Sequence, residues 1–87
     1  MRESVEWFTN EMEKVLQSND HKGGWEDENI DYLWNRLTQE KAELRKILVK
    51  SDAMESNLPN YEYKKDIIKE CCDVANFAMM IADRIRF

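Results

Sequence analysis

From Ile67 onward, apolar residues recur in alternating steps of four and three through Cys71, Val74, Ala78, Ile81 and Ile85, the period of an amphipathic helix. Ile68, Cys72, Ala75, Met79 and Ala82 form a second stripe beside the first. The pattern predicts a long helix over about residues 61–86 that is apolar on two adjoining faces, and therefore central. Two earlier segments share the period. Val5, Phe8, Met12, Val15 and Leu16 predict a first helix from about Glu3 to Gln17, with Ser4 either capping it or just inside it, and with Trp7 to the side of the stripe. Ile30, Leu33, Trp34, Leu37, Leu44, Ile47 and Leu48 predict the buried face of a second helix, from Asp27 or Asn29 to about Lys50. Acidic residues at its start and Lys46 and Lys50 near its end suit the helix dipole. Between these two helices, Ser18 to Gly24 gathers turn formers and both glycines of the chain, which makes a loop rather than a domain boundary. Ala53-Met54-Glu55 adds a short helical turn, and Pro59-Asn60 stops one element and lets Asn60 cap the next. With no strand alternation and no repeat, the chain reads as all-α, a single domain over residues 1–87 in which three helices form a bundle completed by oligomerisation.

The long helix breaks its own pattern on one side. Glu70, Asp73 and Asn76 stand three apart there, continued by Phe77 and Met80. An ionised carboxylate buried without compensation costs several kcal/mol, comparable with the whole net stability of a small domain. A paired cation or a metal is therefore expected. The second helix offers a matching pair: Glu40 follows Leu37 by three and precedes Leu44 by four, where an apolar residue is due, and Glu43 is one step of three further on. Side chains three apart lie on one face, about 4.5 Å apart along the axis, so each pair can grip one ion. For Glu43 alone, a surface ion pair with Lys46 or Lys50 is a sufficient account.

Size and charge narrow the partners. At 87 residues a monomer leaves much apolar surface wet, and association is the expected answer. The net charge of −5 without a basic stripe argues against a nucleic acid polymer. No apolar run approaches the roughly 18 residues that span a bilayer, and the basic-then-apolar order of a signal peptide is missing, so no membrane partner and a cytoplasmic location are expected. Adjacent Cys71 and Cys72 project in different directions on a helix, a poor geometry for a mutual disulfide, and read as small buried residues. Lys22-Gly23-Gly24-Trp25 lacks the glycine spacing of a P-loop. His21, the single histidine, reads as an exposed loop residue.

Trp25 after Lys22-Gly23-Gly24, then Glu40-x-x-Glu43 in a leucine-rich helix, then Glu70-x-x-Asp73 followed by Val74 and Asn76, resembles the MazG-type all-α nucleoside triphosphate pyrophosphohydrolases. The resemblance runs from about Lys22 to Asp83. It implies hydrolysis of a nucleoside triphosphate to its monophosphate and pyrophosphate, with Mg²⁺, or Mn²⁺ in its place, held by Glu40, Glu43, Glu70 and Asp73. Hard divalent ions prefer such oxygen ligands. It further implies a proton acceptor at Glu40 or Glu43, base stacking on Trp25 (whose other reading is an anchor of the loop in the core), a polar contact from Asn76, phosphate contacts from Lys22, Lys65 and Arg84, and a homodimer or homotetramer. Lys50 and Lys64 are further cations within reach of a phosphate. The related phosphoribosyl-ATP pyrophosphohydrolases share the carboxylate arrangement. A di-iron bundle would require Glu-x-x-His pairs that the chain does not have. The rival from another class is a non-catalytic helical homodimer, structural or regulatory, whose acids pair with lysines.

Overall fold

The computed structural model describes residues 1–57 and 61–87, without the side chain of His21. The expectations for Pro59, Asn60 and the His21 side chain therefore lie outside the described residues. Among the described residues four helices follow one another: α1 (Glu3–Ser18), α2 (Ile30–Lys50), the single turn α3 (Ala53–Ser56) and α4 (Lys64–Arg86). Short 3₁₀ turns at Asp20–Lys22 and Tyr61–Tyr63 lead out of α1 and into α4. No strand occurs among the described residues, and the fold is all-α as the periodicity requires. Among the described residues, no helix is long and apolar enough to cross a membrane.

α4 is the element on which the others pack. α2 lies along it with the larger contact, and α1 covers another part of its surface. This is what two adjoining apolar stripes on one helix demand, since each stripe has its own neighbour to meet. Leu33 from α2 and Cys72 from α4 are the fully buried apolar side chains among the described residues, at 1% and 0% exposure. Phe8, Met12, Val15, Leu16, Leu37, Leu44, Ile47, Leu48, Ile67, Ile68 and Val74 are only half-buried. The core is thin, as expected for a chain this short.

Several stripe members leave the core. Trp34, expected on the buried face of α2, is 59% exposed. A turn of 3.6 residues advances each side chain by about 100°, and with Leu33 aimed at the core Trp34 is carried off that face. Val5 and Ile85 are 47% and 70% exposed near the outer ends of α1 and α4, and Ala78 and Ala82 are also exposed. Ser4 lies inside α1, and Asn29 flanks α2 without a side-chain capping bond. The loop after α1 turns at Gly23, whose φ of 89° is open to glycine and costly for other residues. The two cysteines are free thiols. Burial pushes both thiols above their ordinary range, with the Glu70 charge adding to the effect at Cys71.

Candidate functional site

The interruption of the apolar pattern on α2 and the acidic side of α4 meet. Glu40, Glu70 and Asp73 each bring a carboxylate oxygen within 4.8 Å of the other two. All three residues are half-buried, Glu40 and Asp73 with side chains 14% and 15% exposed. Like charges at such a distance repel by on the order of 3 kcal/mol per pair at the screening typical near a protein surface. Two cations offset part of this. Arg36 donates from Nη2 to Glu40 Oε1 at 2.9 Å, and Lys69 donates from Nζ to Asp73 Oδ2 at 3.0 Å. Glu70 has no such bond: its Oε2 is buried without a hydrogen-bond partner among the described residues.

The electrostatics follow from this placement. Burial pushes the Glu70 carboxyl above its ordinary range; Lys69 draws it back, while Asp73, Glu40 and Glu43 push it further up. Lys69 is held above its ordinary range chiefly by its hydrogen bond to Asp73.

Glu43, the fourth acid of the expected set, does not join. Its side chain is 52% exposed and pairs with Lys46 at 3.2 Å, the surface ion pair that suffices for it alone. One step of three on α2 rotates a side chain by about 300°, enough to take Glu43 to the rim when Glu40 faces α4.

The cluster opens into a cleft of about 340 Å³ between α2, α4 and the loop after α1, within the size range of small-ligand sites. Trp25 and Lys22 from the loop, Glu40 from α2, and Asp73 and Asn76 from α4 line it. Asn76 is 2% exposed. Its Nδ2 donates to the Met12 carbonyl at 3.2 Å, tying α4 to α1, while Oδ1 is buried with no partner among the described residues. Trp25 is anchored as well as exposed to the cleft, since its Nε1 donates to Asp83 Oδ2 at 2.9 Å.

Two expected phosphate contacts stand elsewhere. Arg84 donates from Nε to the Glu28 carbonyl at 3.1 Å, fastening the loop to α4. Lys65 borders a separate, broader groove between α1 and the start of α4. Lys50 and Lys64 lie over the rings of Tyr63 and Tyr61.

Hydrophobic period assigns Arg36 and Lys69 no role. Their signal is spacing: each precedes an acid by four, the helical separation of an ion pair. Arg36 also lies over the Phe77 ring at 5.2 Å and donates to Gln39. No family model, curated protein or solved structure matches this chain.

Proposed function

We propose that the chain is a Mg²⁺-dependent nucleoside triphosphate pyrophosphohydrolase that serves nucleotide-pool housekeeping. The observation that carries this reading is the convergence of Glu40, Glu70 and Asp73 beside a cleft that Glu40 and Asp73 line together with Trp25 and the buried Asn76. The order of the two acidic pairs and the Gly-Trp segment before them, similar to MazG-type enzymes, support it from the sequence.

The residues fit a hard divalent cation. Among the described residues the cluster consists of carboxylate oxygens, without thiol or imidazole, and the Glu70 Oε2 that has no partner among them gives an ion something to satisfy. Glu40, Glu70 and Asp73 would hold Mg²⁺ or Mn²⁺, which supplies charge neutralisation for the triphosphate and makes water more acidic. Water adds to the α-phosphorus and pyrophosphate leaves. Glu40, which lines the cleft, offers a carboxylate oxygen not committed to the ion to the proton of that water. Trp25, fixed by Asp83, offers a ring face to the base. Asn76 Oδ1 accepts a hydrogen bond from a sugar hydroxyl or a base amine, and Lys22 at the mouth offers charge to the phosphates. A homodimer or homotetramer covers the apolar residues that one chain leaves exposed.

One observation favours the homodimer without catalysis. Glu40 and Asp73 already have cations of their own, while Trp7, Trp34 and Val49 are 48%, 59% and 60% exposed. A panel of ribo- and deoxyribonucleoside triphosphates, assayed with Mg²⁺ for pyrophosphate release, separates the two readings. Release that disappears in Glu70→Gln, with helical circular dichroism retained, supports the enzyme. No release from any nucleotide, together with a melting temperature indifferent to Mg²⁺, leaves the non-catalytic homodimer.

A further inference from the structure

Arg36 and Lys69 have no part in the chemistry above, yet both line the cleft and both hold an acid of the cluster through a bond of about one helical turn. Three ionised carboxylates and two cations leave one negative charge, and that charge falls to Glu70, the acid without a hydrogen-bonded cation among the described residues. A bound divalent ion would turn the balance to one positive charge. Only an arriving anion offsets that, and the two basic groups are already at the wall where it would lie.

We propose that Arg36 and Lys69 are tethered counter-ions: they hold Glu40 and Asp73 in the ligand-free chain, yield those carboxylates to a divalent cation, and turn to the phosphate oxygens that accompany it. The inference rests on reading the cleft as a site for a cation and a phosphate. Their chemistry suits a double role. The Lys69 side chain is 60% exposed on a flexible stem and delivers a point charge, so it can exchange partners without disturbing packing. Arg36, 34% exposed and laid over Phe77, is held at the wall, and its planar fork matches a phosphate as well as a carboxylate. An independent feature points to a polar ligand in the same cleft: Asn76, 2% exposed, lines it with Oδ1 unpartnered among the described residues.

Titration calorimetry of the full chain tests the exchange with two probes, Mn²⁺ alone and inorganic pyrophosphate at saturating Mg²⁺. Removing a competing cation should tighten Mn²⁺ binding in Lys69→Met several-fold, while loss of a charged phosphate contact weakens pyrophosphate binding about tenfold. Arg36→Gln should move both affinities in the same directions, and Lys69→Arg should restore both, with circular dichroism showing that each variant folds. Weakening of both ligands together, or pyrophosphate affinity unchanged in Lys69→Met and Arg36→Gln, overturns the inference. Wild-type binding of both probes, with the predicted opposite shifts but no pyrophosphate released from any nucleotide, overturns the hydrolase alone and supports the exchange. Failure of the wild type to bind Mn²⁺ overturns both.

Discussion

The indole of Trp25 donates to Asp83 Oδ2 at 2.9 Å across 58 positions of sequence. With the bond from Arg84 to the Glu28 carbonyl, it clasps the loop between α1 and α2 to the last turns of α4. The clasp sets one wall of the cleft. The loop is thereby brought against the helix that carries Glu70 and Asp73.

The Asp83 carboxyl is held below its ordinary range, first by the Trp25 hydrogen bond and then by Arg86. A lowered folded-state value contributes stability that is complete above the ordinary aspartate range and is lost as pH falls through the lowered value. Asp83→Ala should therefore melt at a lower temperature than the wild type at neutral pH, and the gap should close in strong acid. Faster exchange of the Trp25 indole proton, followed by NMR, should accompany it. A gap that stays constant down to strong acid would show that the carboxylate is not the source.

Glu70 carries the opposite sign. Because burial raises its folded-state value, only at a pH between the ordinary glutamate range and that raised value does the folded chain hold a proton there that the unfolded chain has released. Stability should decline as pH rises from the ordinary glutamate range through the raised value. Glu70→Gln should remove this decline and melt higher than the wild type at pH 7. Thermal melts across mildly acidic to neutral pH, without divalent ions, check it; a variant that melts lower at every pH would contradict the assignment.

Glu40 and Glu43, alike in sequence, should separate in solution. Glu40→Gln is expected to lose most Mn²⁺ affinity, whereas Glu43→Gln, altering an exposed pair with Lys46, should bind as the wild type does and change stability by no more than about 0.5 kcal/mol. Equal losses of Mn²⁺ affinity in the two would place Glu43 back in the site.

Leu33 is the packing centre of α2, and its truncation is the harshest test of the fold. Leu33→Ala should cost about 2–5 kcal/mol by removing buried contacts and leaving a cavity. Net stability for a domain is commonly only about 5–15 kcal/mol, so urea unfolding should shift far to lower concentration. Trp34→Ala, one position on but 59% exposed, should shift it much less in dilute monomer.

The contrast between Leu33 and Trp34 shows where a one-dimensional pattern stops. Hydrophobic period is a property of neighbouring side chains, so the extents of α1, α2 and α4, the short turn at Ala53 and the centrality of α4 could be read before any coordinate. The acids could be read too, because Glu40 violates its stripe and Glu70 and Asp73 share the polar side of theirs. Periodicity left the rotational setting of each helix uncertain by about one residue, which is enough to confuse Trp34 with a core position.

The sequence by itself determined that these are amphipathic helices and that two of them carry acids where apolar groups are due, since both facts depend on spacing along a single chain. Tertiary structure alone decided that Glu40 meets Glu70 and Asp73 while Glu43 does not, that Arg36 and Lys69 stand among them, and that Trp25 is tied to Asp83. The physical reason is distance. Contacts between residues far apart in the chain depend on how helices rotate and slide against one another, and that is fixed by packing of the whole surface rather than by the local period of any one segment.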